Sequence, residues 1–130
     1  MSELSLAGRT CLVTGASSGI GNAIAAEFGR AGANVVVADI RREPKLDHER
    51  SVFEKLDDSG ADATYVETDV TDDDDIEHAV DVAVSEYGGL DILVNNAGIY
   101  HQYAAHETPD DAWDDIIDIN LRGVFATTRA

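Results

Sequence analysis

The sequence predicts an α/β fold in which helices cover both faces of one doubly wound, parallel β-sheet. Three observations support this prediction: short β-branched runs alternate with longer segments of helical periodicity, the connections between them are short, and glycines mark many of the turns. Strands that alternate with helices in this way lie parallel, because each helical crossover returns the chain to the same end of the sheet. Right-handed crossovers then favour the doubly wound arrangement.

The first half of the chain contains two predicted strands and two predicted helices. The strand Thr10–Thr14 is followed by a helix that ends at Gly32 and carries apolar residues at helical spacing, namely Ile20, Ile24, Phe28 and Ala31. Asn34–Asp39 is a second strand, and its almost wholly apolar character indicates burial on both faces. We expect Pro44 to open a second helix that ends at Gly60, with an apolar side formed by Leu46, Phe53 and Leu56.

The second half predicts two more strands and two more helices. Residues 63–68 form the third strand, and the helix after it ends at Gly88 and has apolar residues at helical spacing, namely Ile76, Val80, Ala83 and Tyr87. Residues 90–95 form the fourth strand. The chain is helical again from Thr108 onward and reaches its end without another strand. We therefore expect one incomplete domain over residues 1–130, truncated after the fourth strand and the helix that follows it.

The formal net charge of −17 is the most unusual bulk property, with 26 acidic residues against 9 lysines and arginines. Such a chain should bind neither nucleic acid nor anionic membranes. The acidic residues are spread over several segments, which favours a halophilic protein over a merely acidic one. The single cysteine, Cys11, and the lack of a signal peptide or a long apolar run predict a cytoplasmic protein.

A glycine-rich turn lies between the first strand and the first helix, where Gly15, Gly19 and Gly21 are spaced as G-x-x-x-G-x-G. Glycines allow a backbone to approach a diphosphate closely, and the free amides at a helix start face the anion. This spacing differs from the commonest dinucleotide fingerprint, and a tight strand-to-helix connection is the alternative explanation. The position between a strand and a helix favours a phosphate-binding turn.

Asp39 ends the second strand, 18 residues after Gly21. An acidic side chain at about this distance from the turn is placed to accept hydrogen bonds from the adenosine ribose, and it would repel a 2′-phosphate. The sequence therefore favours NAD over NADP. Arg41 and Arg42 leave NADP open, because either side chain could bind such a phosphate if the loop folded back.

Four short motifs occur in order along the chain. They are T-G-x-x-x-G-x-G at residues 14–21, Asp69-Val70 after the third strand, N-N-A-G at residues 95–98 and N-L-R-G at residues 120–123. On these motifs the sequence resembles the short-chain dehydrogenase/reductase family over nearly its whole length. The resemblance implies a Rossmann-type fold, a bound nicotinamide dinucleotide and hydride transfer between that cofactor and a carbonyl or alcohol substrate.

The resemblance also implies a role for each motif. The diphosphate and a ribose would lie against the turn, at Gly15, Ser17, Ser18, Gly19, Ile20 and Gly21. Asp39 would bind the adenosine ribose hydroxyls, and Asp69 the adenine amino group, with the Val70 backbone beside the ring. Three residues of the N-N-A-G motif would support the central strand and approach the cofactor's ribose, namely Asn95, Ala97 and Gly98.

The resemblance implies that Asn120 is the family's catalytic asparagine, which would hold a water molecule of the proton relay. It follows helical spacing with Trp113, Ile117 and Val124, which predicts a polar amide in an apolar stripe. A buried amide needs a hydrogen-bond partner. The spacing alone leaves two explanations open, a catalytic role or satisfaction by nearby backbone, and the resemblance favours the first.

The family's proton donor, a tyrosine in a Y-x-x-x-K motif assisted by a serine, has no counterpart in this sequence. None of the four tyrosines is followed by lysine four residues later. We therefore expect the complete enzyme to be a homo-oligomeric oxidoreductase and this chain alone to be inactive. The alternative is a non-catalytic nucleotide-binding or interaction module. No metal site is predicted, because residues 72–75 are aspartates at a helix start, where acidic groups favour the helix dipole.

Overall fold

Four short apolar segments pair into one parallel β-sheet in the computed structural model, which describes residues 5–99 and 102–130. The strands are β1 (Thr10–Thr14), β2 (Asn34–Asp39), β3 (Ala63–Glu67) and β4 (Ile92–Val94). They lie in the order β3-β2-β1-β4, and all three pairings are parallel. The chain thus builds outward from β1 to β3 and returns to the other side of β1 for β4. The predicted doubly wound fold is confirmed.

Helices cover both faces of the sheet. They are α1 (Gly19–Arg30), α2 (Val52–Asp58), α3 (Asp73–Tyr87), α4 (Asp110–Ile117) and α5 (Gly123–Arg129). A short 3₁₀-helix spans Ala105–Glu107, and a π-helical turn, Asp118–Arg122, connects α4 to α5. None of the helices in the described part of the chain is long and apolar enough to cross a membrane.

The two central strands, β1 and β2, contribute buried residues to both faces of the sheet, because alternate side chains of a strand point to opposite faces. One face packs against α1 and α2 through buried residues that include Cys11, Val13, Val35, Val37, Ala25 and Leu56. The other face packs against α3 through buried residues that include Leu12, Val36, Ala38, Ala79 and Ala83. Burial on both faces explains why the sequence of β2 is an almost unbroken apolar run.

The prediction that Pro44 opens a helix is wrong, because the second helix begins only at Val52. Ser51 caps that helix by accepting a hydrogen bond from the backbone N–H of Phe53 at 3.1 Å. The chain before it is irregular, and the Leu46 side chain, predicted to lie on the apolar side of the helix, is 55% exposed. Tertiary hydrogen bonds to the start of α1 hold this segment in place, and hydrogen bonds within a helix do not.

The fourth strand is shorter than predicted at both ends, because side chains replace backbone partners there. At its start the Asp91 carboxylate accepts from the backbone N–H of Thr10 at 2.9 Å. At its end the Thr14 hydroxyl accepts from the backbone N–H groups of Asn96 and Ala97, each at 2.9 Å. The chain therefore leaves the sheet at Val94 and turns toward the glycine-rich turn after β1.

The last helical region begins at Asp110, close to the predicted start, but it is not one regular helix. The π-helical turn at Asp118–Arg122 interrupts it. The Trp113 side chain is 59% exposed, so the apolar stripe predicted around it is not buried in the described chain. The buried part of α5 is a set of small residues, namely Gly123, Ala126 and Thr127.

Candidate functional site

A cavity of about 490 Å³ lies at the carboxyl ends of the strands, where the strand order reverses between β1 and β4. Ligands of doubly wound folds bind in this crevice. The predicted site residues that line it come from four segments of the chain, namely Gly15, Ser18, Gly19, Asp39, Asp69, Val70, Ala97 and Gly98. A wider, shallower depression of about 730 Å³ lies over residues 42–57, and none of the predicted residues lines it.

The glycine-rich turn brings the start of α1 to the cavity. Gly15 and Gly19 have φ angles of +66° and +56°, in the left-handed region that favours glycine. A Cβ atom on Gly21 would lie 2.3 Å from the carbonyl oxygen of Gly15, so only glycine permits this close approach. Ser18 is the N-cap of α1, but its side chain does not cap the helix amides. The first-turn N–H groups are therefore left for another acceptor.

The Asp39 carboxylate joins the end of β2 to the turn. Its Oδ2 accepts from the backbone N–H of Ser17 at 3.0 Å, and its Oδ1 accepts from that of Ile40 at 2.7 Å. Asp39 is only 9% exposed, yet it lines the cavity. A carboxylate has about four acceptor positions, so this side chain retains capacity for a ligand hydroxyl.

Tyr65 of β3 packs behind Asp39 and donates its hydroxyl proton to the Asp39 backbone carbonyl at 3.0 Å. Burial raises the pKa of Tyr65, and the nearby carboxylates of Glu67 and Asp39 raise it further. This tyrosine therefore stays protonated and acts as a hydrogen-bond donor that fixes the end of β2.

Ser17 has a buried hydroxyl without a hydrogen-bond partner among the described residues. A buried hydroxyl normally finds a partner, so an unpaired one next to a candidate ligand position is informative. Ser17 lies within the glycine-rich turn, and its own N–H binds Asp39. The hydroxyl is closed off and Ser17 does not line the cavity, so the acceptor that this corner offers to a ribose is the Asp39 carboxylate, and the role of the Ser17 side chain stays a prediction.

Four predicted residues of the turn and the fourth strand do not line the cavity, namely Ser17, Ile20, Gly21 and Asn95. The Ile20 side chain is 73% exposed, and Gly21 packs against the turn itself. Asn95 donates its side-chain amide to the Thr128 hydroxyl at 3.1 Å, so it ties the end of β4 to α5. The expected support of a strand by Asn95 is compatible with this contact, but the side chain is not at the cavity.

Asp69 and Val70 form the wall of the cavity after β3. The Asp69 carboxylate accepts from the backbone N–H of Thr71 at 2.9 Å and from its hydroxyl at 2.7 Å, which orders the turn into α3. Val70 is 8% exposed and packs directly on α5. A Cβ atom on Gly123 would lie 2.8 Å from Val70 Cγ2, so the absence of a side chain there lets α5 press against this wall.

The prediction that Asn120 is a buried amide in an apolar stripe is wrong. The side chain is exposed, and both of its polar atoms bind the backbone of Ile99. Its Oδ1 accepts from the Ile99 N–H at 2.8 Å, and its Nδ2 donates to the Ile99 carbonyl at 2.8 Å. Asn120 therefore closes the loop after β4 onto the π-helical turn. Its catalytic role stays a prediction.

Four residues that shape the site were not among the predicted ones. Thr14 and Asn96 fasten the loop after β4 to the glycine-rich turn, and Asn96 donates its side-chain amide to the Gly15 carbonyl at 3.1 Å. Both belong to the recognised motifs, so their position already pointed to the site. Glu49, from a segment expected to be helical, accepts from the Gly19 N–H, and Asn22 in the first turn of α1 donates to the Ser17 and Arg50 carbonyls. No local pattern marks either contact.

Asp72 caps α3, because its Oδ1 accepts from the backbone N–H of Asp74 at 2.9 Å and from that of Asp75 at 3.3 Å. The run of aspartates therefore has a structural explanation at the start of a helix. No group of three or more histidine, cysteine, aspartate or glutamate side chains in residues 5–99 and 102–130 is arranged to hold a metal ion.

Comparison with known proteins agrees with this geometry. Residues 9–130 match the model of the short chain dehydrogenase family. A 3-oxoacyl-(acyl-carrier-protein) reductase of Thermotoga maritima is 42% identical over 124 residues, and a mitochondrial borneol dehydrogenase of Lavandula x intermedia is 43% identical over 126 residues. Both matches cover 95% of this chain, but 49% and 45% of the relative. The chain thus spans about half the length of these relatives.

A solved structure shows the same fold with a cofactor present. The 3-ketoacyl-(acyl-carrier-protein) reductase of Brucella melitensis, solved in complex with NADH, superposes with a TM-score of 0.82 at 37% identity. The match covers 96% of this chain and 49% of that one. The family match, the shared fold and the ordered motifs agree, so the chain belongs to the short-chain dehydrogenase/reductase family, in its cofactor-binding portion.

Proposed function

We propose that this chain binds NAD and is the cofactor-binding part of an oxidoreductase that moves hydride between the nicotinamide and a carbonyl or alcohol substrate. The observation that supports it best is the start of α1. Ser18 leaves the amides there uncapped, and Ser18 and Gly19 line a cavity of about 490 Å³ that Asp39 and Asp69 also line. Backbone amides at a helix start attract a diphosphate, and the carboxylates suit sugar and base donors.

In this proposal, each wall of the cavity binds a different part of the cofactor. The turn at Gly15 and Gly19 would hold the diphosphate, and the Asp39 carboxylate would hold the adenosine ribose. Asp69 and the Val70 backbone would border the adenine. The bound nicotinamide supplies the hydride chemistry. This chain's own residues bind and orient the cofactor, and the Thr14 hydroxyl keeps the loop after β4 against the turn by accepting two hydrogen bonds.

The preference for NAD over NADP is part of the proposal and rests on the charges at the end of β2. The Asp39 carboxylate lines the cavity, whereas both nearby guanidinium groups are engaged elsewhere. Arg41 donates to the backbone carbonyls of Glu43 and Pro44, and Arg42 lies over the Phe53 ring at 4.1 Å. A 2′-phosphate at the end of β2 would therefore be repelled by the Asp39 carboxylate, and Lys45 is the one basic residue among the described residues that line the cavity.

The substrate class comes from the relatives. One is a reductase of 3-oxoacyl-(acyl-carrier-protein) and another is a borneol dehydrogenase, so their substrates are a ketone or a secondary alcohol. We propose the same class, with proton transfer by the serine and Y-x-x-x-K tyrosine of the family, which this sequence lacks. A homo-oligomeric complete enzyme, a cytoplasmic location and adaptation to high salt belong to the same proposal and are supported by composition and resemblance only.

Calorimetric titration of the chain with NAD⁺ and NADP⁺ in concentrated KCl tests the proposal. We expect NAD⁺ to bind at least about tenfold more tightly, equivalent to about 1.4 kcal/mol. Asp39→Asn keeps the side-chain shape and removes the charge, so it should lose most of this preference. Asp57→Asn is the matched control, since it removes one exposed charge on α2 outside the cavity.

Two results would contradict the proposal. Equal affinity of the unchanged protein for both dinucleotides would refute the assigned role of Asp39. Absence of dinucleotide binding by a demonstrably folded sample would refute the cofactor site itself. A non-catalytic nucleotide-binding module is distinguished by activity, because it would bind NAD⁺ with no hydride transfer from any alcohol in the full-length protein.

A further inference from the structure

Residues 41–50, which we call the strap, lie across the first turn of α1. Three hydrogen bonds hold the strap there. The backbone N–H of Lys45 donates to the Ser18 hydroxyl at 2.7 Å, and the Arg50 carbonyl accepts from the Asn22 side-chain amide at 3.1 Å. Between them, the Glu49 carboxylate accepts from the backbone N–H of Gly19 at 2.7 Å.

The Glu49 contact is at the position where an anion is most favoured. Gly19 is the first residue of α1, and its N–H is one of the amides that no side chain of the helix itself satisfies. A carboxylate there interacts favourably with the helix dipole. Glu49 also lines the same cavity as Asp39 and Asp69, so it lies beside the proposed cofactor position.

The Gly19 amide has one proton and donates one strong hydrogen bond, so Glu49 and a diphosphate cannot both receive it. Two anions at the same helix start would also repel each other, and the −17 net charge of the chain adds to that repulsion. We propose that Glu49 competes with the cofactor's diphosphate for the start of α1, so that the strap must release Glu49 before a dinucleotide binds. This inference rests on the proposed dinucleotide site.

Of the three hydrogen bonds between the strap and α1, only the one from Asn22 to Arg50 involves a buried side chain. Asn22 is fully buried, donates to both the Ser17 and Arg50 carbonyls, and accepts from the Lys55 ammonium at 2.6 Å. By contrast, the Lys45 and Glu49 contacts are exposed to solvent. Glu49 can therefore leave Gly19 while Arg50 stays attached to Asn22, and the strap acts as a hinged cover over the diphosphate position.

Two matched variants of the full chain test the inference. Glu49→Ala removes the carboxylate that binds Gly19, and Asp47→Ala removes an equal charge two residues away from an exposed side chain outside the cavity. Calorimetric titration with NAD⁺ should show about two- to fivefold tighter binding by the Glu49 variant only, the size expected for one carboxylate at a helix start. Circular dichroism establishes that each variant is folded.

A second measurement follows the contact itself. In ¹⁵N–¹H spectra without NAD⁺, the Gly19 amide proton should move upfield in the Glu49→Ala protein, because it loses a charged acceptor, and should not move in the Asp47→Ala protein. Equal NAD⁺ affinity of all three proteins, or an equal gain in both variants, would overturn the inference and leave the proposed function intact. Failure of all three to bind NAD⁺ would overturn the proposed function, and the inference with it.

Discussion

Thr14 and Asp39 are the two side chains that assemble the cavity, and each does so through backbone amides. The Thr14 hydroxyl receives the N–H groups of Asn96 and Ala97, and the Asp39 carboxylate receives that of Ser17. Both therefore join segments far apart in sequence at the ends of adjacent strands. At these strand ends, side-chain oxygens accept the hydrogen bonds that carbonyl groups of a neighbouring strand accept within the sheet. The backbone N–H groups just beyond the strands are therefore paired.

Cys11 should be chemically inert in the folded protein. It is completely buried in β1, and burial raises the pKa of its thiol from 9.0 to about 12. We expect negligible alkylation by iodoacetamide at about pH 8.5 in the native state and rapid alkylation in urea, because the thiolate is the reactive form. Mass spectrometry of the two samples measures this, and fast native alkylation would show that β1 opens readily.

The same pKa shift has a consequence for stability. Between the unfolded pKa of 9.0 and the folded pKa of about 12, the Cys11 thiol stays protonated in the folded protein but loses its proton in the unfolded chain. The unfolded state therefore binds fewer protons in this pH range. The stability contributed by the neutral thiol is thus fully present below the lower pKa and is lost as the pH rises toward the higher one. Tyr65, whose pKa burial also raises, acts in the same direction.

Single residues were predictable where a motif carried them. Asp39 and the glycines of the turn were predicted from their spacing together with their positions at a strand end and between a strand and a helix, because backbone geometry places them there. For Asn120 the sequence predicted a buried side chain, whereas the side chain is exposed. Its partner, the Ile99 backbone, is 21 residues away, and helical periodicity contains no information about such a contact.

At the scale of secondary structure elements, the packing of α1 against the turn depends on Gly21. A Cβ atom there would lie 2.3 Å from the Gly15 carbonyl oxygen and 2.5 Å from the Asn96 side-chain amide. Gly21→Ala should lower the free energy of unfolding by about 1–3 kcal/mol, the usual cost of forcing atoms into a packed region. Urea unfolding followed by circular dichroism measures the change.

Gly89→Ala is the control for that experiment. A Cβ atom on Gly89 would have no other atom within 4 Å, and the residue does not have a left-handed φ. Its replacement should leave stability unchanged or raise it by about 0.4–1 kcal/mol, through the lower entropy of the unfolded chain. If both variants lost stability equally, the close contact between Gly21 and Gly15 would not be the cause.

The elements themselves were predictable from periodicity, with one exception. Pro44 and the apolar residues Leu46 and Phe53 fit a helix pattern, yet the strap is irregular. Its path is fixed by contacts to Ser18, Gly19 and Asn22, which lie 27 to 30 residues before their partners in the strap. Local propensity is a weak guide where tertiary contacts of this kind decide the backbone.

The charge distribution dominates the behaviour of the whole molecule. A formal charge of −17 on 130 residues gives net repulsion in the compact state, and salt screens it over a Debye length of about 3 Å at 1 M. We expect the midpoint of thermal unfolding to rise by about 4 °C or more between about 0.1 M and 2 M KCl, equivalent to about 1 kcal/mol. Differential scanning calorimetry measures it.

A variant with fewer charges provides the control for the salt experiment. Asp114→Asn with Asp115→Asn removes two exposed carboxylates from the middle of α4. Its unfolding midpoint should be higher at the low salt concentration and should increase less with added salt. An unchanged midpoint across the salt range in the original protein would show that the acidic surface is not a source of instability.

The architecture was the most predictable feature of the molecule, because β1, β2 and the glycine-rich turn follow rules that act over short distances. Right-handed crossovers favoured the doubly wound arrangement without any side-chain detail, and the strand order β3-β2-β1-β4 confirms it. What the sequence left open was how the far ends of the elements meet. The hydrogen bonds of Thr14 to the loop after β4, of the strap to α1 and of Asn120 to Ile99 all join segments that are distant in sequence and meet only in the folded chain.

The π-helical turn at Asp118–Arg122 has a consequence for chain length. Such a turn holds one residue more than an α-helix would, and each helical residue advances the side-chain direction by about 100°. Because the turn absorbs the extra residue, a deletion within it would restore regular helix with little rotation of α5. Gly123 would then still face Val70, whereas Asn120, which lies inside the turn, would be displaced from Ile99. We therefore expect a one-residue deletion to remove the contact of Asn120 with Ile99 and to preserve the packing of α5 on Val70.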